Sequence, residues 1–302
     1  MRRFVGGIFV ALAVVVLAGQ AVAQPVDVPP TWGGSFWDRP RLTGDWFGLR
    51  DEMGKKGIVL DLDLLQVPQG VGSGGRETLA EYSGLAEYTL NVDTQKLGLW
   101  PGGFLRGQGM TSFGQNVNPD AGAILPPSWT SLLPQPAENN VSALMNLTFM
   151  QFLSEKFGLV AGKVSTIGGD ANEFAHDYHS QFLNSGLNLN MALDLVPFTG
   201  YGGGLVVLPW EGATFTALAL DPDGSATDND ITEAFKNGAL VATEGRVTIQ
   251  PFGLVGHQLV GFMWSDKKRL SLVQDPSNTA RLLLQEQFPR LGNPGPILEK
   301  FL

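Results

Sequence analysis

The segment RLTGDWFGLRDEMGKKGIVLDLDL, residues 41–64, decides the fold, because it passes from a helix pattern into a strand pattern. Asp45 is a suitable N-cap for a helix over residues 46–55, and Gly57 is a suitable stop. From Ile58 onward, Leu alternates with Asp. Successive side chains of a strand point to opposite faces, so one face here is apolar and the other carries carboxylates. Such a strand fits either a soluble sheet with one wet face or a membrane barrel with lipid outside and water inside.

The first 23 residues have the pattern of a secretory signal peptide. Arg2 and Arg3 form a basic start, residues 4–18 are apolar, and Ala21-Val22-Ala23 is a small-residue cleavage site. The apolar run of about 15 residues is shorter than the ~20 that a spanning helix needs. We therefore predict export, cleavage after Ala23 and a mature chain that starts at Gln24.

Composition narrows the class further. Without Arg2 and Arg3 the charge balance changes from 20 minus 29 to 18 minus 29, or -11. An acidic chain without a Lys/Arg cluster argues against nucleic acid as a partner. Cysteine is absent, which excludes disulfides and thiolate chemistry. Glycine (39) and proline (19) are frequent, whereas charged residues make up only 16%, and this mixture suits many short strands joined by turns.

Period-2 patterns recur along the chain and predict a sheet. The clearest cover residues 58–67, 82–93, 141–150 and 239–250. Weaker candidates cover residues 104–111, 159–164, 187–193, 204–208, 213–220, 257–264 and 270–274. We expect about ten strands, with short turns alternating with long polar loops such as residues 115–139 and 221–237. That alternation is typical of a transmembrane barrel, the only spanning structure open to a chain without a long apolar helix.

Four short motifs resemble those of a known family. The opening block matches at Leu42, Thr43, Gly44, Asp45, Trp46, Gly48, Leu49 and Arg50, while Phe47 stands where the family has Gly. WPGG (residues 100–103), GK (residues 162–163) and FLNS (residues 182–185) follow in the family's order. On these motifs, residues 40–265 are similar to the carbohydrate-selective porin family (OprB type) of bacterial outer membranes.

The resemblance implies an all-β fold, a transmembrane antiparallel β-barrel of about 16 strands preceded by a short periplasmic helix. It implies passive diffusion of mono- or oligosaccharides across a Gram-negative outer membrane, contact with lipid, no enzyme activity and no cofactor, in a homotrimer or a monomer. The expected layout is a signal peptide (1–23), a periplasmic leader with a helix (24–57) and the porin barrel (58–302). Family members usually end on an aromatic residue, whereas this chain ends at Phe301-Leu302, so we expect the C-terminal strands to be missing.

The polar face of the strands is predicted to line the pore. The candidates are Asp61, Asp63, Glu87, Asn91, Asp93, Glu244 and Arg246. Carboxylates and guanidinium groups can hydrogen-bond sugar hydroxyls, and the excess of carboxylates would favour neutral or cationic solutes. His176 and His179 are interpreted as loop polarity, so no metal site is predicted. Two alternatives stay open: a soluble periplasmic sugar-binding β-protein, and a secreted glycoside hydrolase that would use paired carboxylates.

Overall fold

The computed structural model describes residues 28–123, 125–134, 140–167, 177–188, 196–270 and 298–300. The predicted signal peptide and its cleavage site lie outside these residues. Helix α1 (Leu49–Lys55) leads into nine long strands. They are β1 (Ile58–Gly70), β2 (Ala80–Asp93), β3 (Gly103–Gly114), β4 (Ser142–Ser154), β5 (Phe157–Ser165), β6 (Thr199–Val207), β7 (Ala213–Leu220), β8 (Leu240–Ile249) and β9 (Gly256–Ser265). Two short helices, α2 (Asn118–Ala121) and α3 (Ser185–Asn188), lie in loops, and the short strands β10 (Lys268–Leu270) and β11 (Leu298–Lys300) pair separately.

The nine long strands form one antiparallel sheet in which each strand pairs with its neighbours in sequence. Within the described residues β1 and β9 do not pair with each other, so the sheet is open. The connections after β3, β5 and β7 are long (residues 115–141, 166–198 and 221–239), whereas those after β4, β6 and β8 are short (residues 155–156, 208–212 and 250–255). Because neighbouring strands are antiparallel, the long loops share one edge of the sheet and the short turns share the other.

Most predicted strands are confirmed, but the predicted start of the helix and the strand predicted at residues 187–193 are wrong. The helix begins at Leu49 after Gly48, which has φ 88° and no side-chain cap, so Asp45 is not its N-cap. Residues 187 and 188, the described part of the strand predicted at residues 187–193, belong to α3. Leu270 ends β10, and the rest of the strand predicted at residues 270–274 lies outside the described residues. None of the helices in the described part of the chain is long and apolar enough to cross a membrane.

The backbone before α1 is strained. Trp46 and Phe47 have φ values of 55° and 61°, in the left-handed region that favours glycine. The ring of Phe47 is fully exposed. The family has Gly at this position, which fits the torsion angle, and this turn explains why the helix begins three residues later than the sequence pattern indicates.

One face of the sheet is apolar across its whole width, and we call it the outer face. A single row of the ladder takes one residue from each strand: Ile58, Val92, Leu105, Phe149, Ala161, Gly203, Ala219, Val241 and Trp264. All nine are apolar, aromatic or glycine. Large side chains on the same face, including Leu62, Leu64, Tyr88 and Phe262, are exposed.

The long loops fold over the opposite face, which we call the inner face. Ser131 contacts Ser83 there, and the Tyr178 hydroxyl donates to Glu87. The apolar pattern of residues 141–150 predicted that Ala143 and Met145 share the outer face with Leu147. That prediction is wrong, because a bulge between Gln108 and Gly109 shifts the register. Met145 is instead buried with residues of the inner face and the loops, in a cluster with Leu85, Met110, Trp129, Leu133, Tyr178 and Ala226.

A glycine sets the approach of β4 to β5. Gly162 has φ 137°, and a Cβ there would lie 2.1 Å from the carbonyl oxygen of Leu147. Gly162→Ala should therefore destabilise the fold by roughly 1 to 3 kcal/mol. Gly107→Ala is the matched control, because its Cβ would come no closer than 4.0 Å to another atom. The free energies of unfolding can be compared in guanidinium titrations, and equal losses for the two variants would contradict this account.

Candidate functional site

Polar side chains concentrate on the inner face of β1–β4, where three neighbouring rows of the ladder carry them. The rows are Asp63 with Glu87, then Asp61 with Thr89, Gln108 and Asn146, then Asn91 with Arg106 and Thr148. We call these nine residues the polar wall. Adjacent strands lie about 4.8 Å apart, so the wall presents closely spaced amide, hydroxyl, carboxylate and guanidinium groups. Glu87, Asn146 and Thr148 are buried. The partly exposed side chains of Thr89, Asn91, Arg106 and Gln108 offer both hydrogen-bond donors and acceptors to a ligand rich in hydroxyls.

Glu87 joins the polar wall to the loop after β5. Its side chain is only 4% exposed. The Tyr178 hydroxyl donates to Oε1 at 2.6 Å, and His179 Nε2 lies 3.2 Å from Oε2. The other ring nitrogen of His179 lies 3.0 Å from Oδ1 of Asp177. The rings of Tyr178 and His179 stack at 4.4 Å, so two aromatic rings border the wall where the loop meets it.

The electrostatics of this contact hold the loop groups in defined states. Burial, and then the charge of Glu87, raise the pKa of the Tyr178 hydroxyl well above its ordinary value, so it stays protonated and donates. Burial alone would lower the pKa of His179, but its contacts with Glu87 and Asp177 outweigh burial and raise it. Burial would raise the pKa of Asp177, yet hydrogen bonds from Ser180 and His179 lower it. Asp177 is therefore a carboxylate that favours the imidazolium form of its neighbour.

Arg106 is the cation of the polar wall, and the sequence analysis missed it. It makes no hydrogen bond or ion pair within the described ranges, and the groups whose charge acts on it are Glu87 and Tyr178. The strand pattern around Arg106 is weak because Gly103, Gly107 and Gly109 interrupt the apolar face of β3. The signal that could have found it is parity, since Arg106 and Gln108 alternate with Leu105, Gly107 and Gly109.

Asp61 and Asp63 lie on the predicted face, but both are paired with cations. Arg50 Nη2 lies 2.6 Å from Asp61, and Arg41 lies 2.9 Å from Asp61 and 3.4 Å from Asp63. The Arg50 guanidinium also lies over the rings of Trp32 and Trp46, 5.1 Å from the centre of each. These carboxylates therefore dock the N-terminal leader and α1 onto the sheet, and their charge is largely compensated.

The other predicted site residues lie apart from this pairing. Glu87 and Asn91 belong to the polar wall, whereas Asp93 Oδ1 accepts from the amides of Gln95 and Lys96 and shapes the turn after β2. Glu244 and Arg246 lie on the inner face of β8. An apolar cluster separates them from the polar wall; it contains Met150, Val160, Val206, Leu218 and Ala242. The structure thus groups Asp61, Asp63, Glu87 and Asn91, and leaves Glu244 and Arg246 at a second location.

Two of the later motifs fasten loops, one to the sheet and one to another loop. In the GK motif, Lys163 is 2% exposed. Its Nζ donates to three oxygens of the loop after β7, those of Ala226, Asp228 and the Asn229 side chain, at 3.1, 2.8 and 2.8 Å. In the FLNS motif, the amide and hydroxyl of Ser185 both donate to the Pro126 carbonyl. These motif residues therefore position loops and do not belong to the polar wall.

Metal binding finds no support in the part of the chain that the structure describes. No group of three or more His, Asp or Glu side chains in the described ranges is arranged to hold an ion. His176 lies outside those ranges.

The described strands form an open up-and-down antiparallel sheet with an apolar outer face. Short turns on one edge and infolded long loops on the other are features of the wall of a transmembrane β-barrel. A solved structure of OprB from Pseudomonas putida, the high-pH one, shares this fold. The high-pH structure has 17% sequence identity and a TM-score of 0.64 over 78% of this chain and 59% of that one. The low-pH structure has 15% identity and a TM-score of 0.45 over 75% and 61%.

The comparison confirms, at the level of the fold, the porin resemblance seen in the opening block and the all-β barrel class. This chain spans 59% of the length of the first OprB structure. No protein-family model and no curated protein matches the sequence.

The Arg50–Asp61 contact should stabilise the fold more than a surface ion pair does. The side chains are 5% and 16% exposed, so Arg50→Met, which leaves Asp61 without its closest cation, should cost about 3 kcal/mol. Glu52→Gln is the control, because its pair with Lys55 is 62% and 67% exposed, and we expect little change. Guanidinium titrations give both values; a loss for Arg50→Met no larger than for Glu52→Gln would contradict the docking role.

Proposed function

We propose that this chain forms the wall of an outer-membrane porin through which mono- or oligosaccharides diffuse passively. The observation that carries the proposal is the apolar row across all nine strands, set against a polar wall on the inner face of β1–β4. An exposed apolar face of this width would favour aggregation in water. In a membrane the same face contacts lipid, and the polar face contacts a water-filled path.

The two alternatives fit the structure less well. A soluble sugar-binding sandwich buries one face of each sheet against a second layer, but no second layer covers the outer face in the described ranges. A glycoside hydrolase needs two carboxyl groups free to act as acid and as base or nucleophile. Both oxygens of Glu87 have hydrogen-bonding partners, and Asp61 is bound by two arginines. We therefore do not propose an enzyme, and no cofactor is required.

The polar wall is the part of the path that we assign to sugar contact. Arg106, Gln108 and Asn91 present donors to hydroxyl groups from adjacent strands. The rings of Tyr178 and His179 border them. Arg246 and Glu244 would line a separate stretch of the path on β8, and Asp93 would lie at its short-turn end.

The remaining features belong to the same proposal. The chain is exported with cleavage after Ala23, the leader and α1 lie on the periplasmic side, and the barrel sits in outer-membrane lipid of a Gram-negative cell. The position of α1 supports this placement, since it enters β1 at the edge that carries the short turns. A homotrimer and a monomer are both compatible with the sheet. Fractionation tests the location, because only a membrane barrel should require detergent for extraction.

The two faces can be distinguished by charge substitution. Leu90→Arg puts a cation on the outer face and should destabilise the protein in lipid vesicles by roughly 2 to 4 kcal/mol near the midplane. Asn91→Arg is the matched control, since this neighbour lies on the inner face and should cost much less. The measurement is denaturant unfolding in vesicles. A tolerated Leu90→Arg together with a damaging Asn91→Arg would reverse the assignment of the faces.

Sugar contact can be tested through the cation of the wall. Arg106→Gln should shift ion selectivity toward cations, because it removes a positive charge from the path. It should also weaken block of the conductance by added sugar about tenfold, as expected for loss of a charge-assisted hydrogen bond. The readouts are the reversal potential in a salt gradient and the sugar titration of conductance in planar bilayers.

Arg246→Gln is the control for this experiment, since it removes the same charge from β8, outside the polar wall. Equal effects of the two substitutions on sugar block would show that the polar wall is not the sugar site.

A further inference from the structure

We propose that His179 is a pH-dependent latch, which holds the loop segment 177–188 against the polar wall in acid and loosens it in alkali. The latch itself rests on the geometry at Glu87. Its consequence for transport, a narrower path in acid, rests on the porin function proposed above.

The geometry demands two protons on one imidazole ring. Nε2 of His179 lies 3.2 Å from a Glu87 oxygen, and Nδ1 lies 3.0 Å from an Asp177 oxygen. A neutral imidazole carries one N–H and presents a lone pair at the other nitrogen, whereas the imidazolium donates from both. Deprotonation therefore turns one of the two contacts from attraction into repulsion between a lone pair and a carboxylate.

The surrounding charges favour the protonated form of His179. Glu87 faces the ring from β2 and Asp177 from its own segment, and the charge of Arg106 on β3 interacts with that of Glu87. Tyr178 stacks on the ring and stays neutral. The pKa of His179 is raised by its contacts with the two carboxylates, although burial acts in the opposite direction. The stabilisation that protonated His179 gives to the contact is thus fully present below the ordinary histidine pKa of about 6.5. It is lost as pH rises through the raised pKa of His179.

Movement at His179 would be passed to a second loop. Trp129 donates its amide to the Leu183 carbonyl at 2.6 Å, and Ser185 donates twice to Pro126. The segment 177–188 and residues 126–129 are therefore tied together above the inner face. The Tyr178–Glu87 hydrogen bond does not titrate in the same range. It therefore still holds the segment to β2 when the His179 contact weakens, and we expect the segment to move only partly away from the inner face.

Distance measurement by electron paramagnetic resonance tests the latch without any transport assay. The chain has no cysteine, so Leu187→Cys with Leu99→Cys gives specific spin-label sites, the first on α3 and the second on the turn after β2; both side chains are exposed. Between about pH 5 and about pH 8.5, on either side of the ordinary histidine pKa, we expect a second, displaced distance to gain several-fold in population. His179→Gln should abolish this pH response, whereas His176→Gln and His257→Gln should keep it.

The outcomes separate the latch from the proposed function. A distance distribution that does not change with pH, or one that changes equally in His179→Gln, would overturn the latch. If the distance responds to pH through His179 and the conductance rises in parallel, both proposals are supported. If the distance responds but conductance and sugar block do not, the latch stands and the path does not pass this segment, which contradicts the proposed function at the polar wall.

Discussion

The alternation of side chains along antiparallel strands is the constraint on which the rest of this structure depends. Each strand must present one set of residues to each of two surroundings, and the register must keep every set on its own side. A row such as Val92, Leu105, Phe149 and Ala161 exists only because three neighbouring ladders keep the same alternation of faces. The bulge opposite Gln108 is placed where the chain needs an extra inward side chain, Met145, to fill the space beneath the loops.

The second organising element is the burial of charged groups at the points where segments dock. Arg50 fixes the N-terminal segment, Lys163 fixes the loop after β7, and Glu87 fixes the loop after β5. Each group is almost completely buried and each satisfies several partners, which offsets the cost of removing charge from water. Polar anchors of this kind are directional, so they set the position of a loop more sharply than apolar contact would.

Sequence patterns predicted the strands, the long loops and the faces of Asp61, Glu87 and Asn91, because period-2 alternation is a local property. They could not predict that Arg41 and Arg50 neutralise Asp61, since this contact joins elements through a turn whose shape is not encoded in the pattern. They missed Arg106 because glycines dilute the alternation of its strand. They misplaced Met145, since one inserted residue reverses parity without changing composition. The family motifs were informative about the fold for a physical reason: residues such as Lys163 and Ser185 fasten the scaffold.

The left-handed turn at Trp46 and Phe47 has a consequence for the order of assembly. Helix α1 has seven residues, well below the roughly 12 to 15 at which an isolated helix begins to hold in water. Its entry runs through two side-chain-bearing residues in a conformation that L-amino acids disfavour. Neither the helix nor its entry can therefore form first. Strands β1 and β2 must already present Leu60 and Asp61 before Arg50 has a place to bind. Helix α1 and its entry turn precede every strand in the sequence, yet they are among the last described elements to fold.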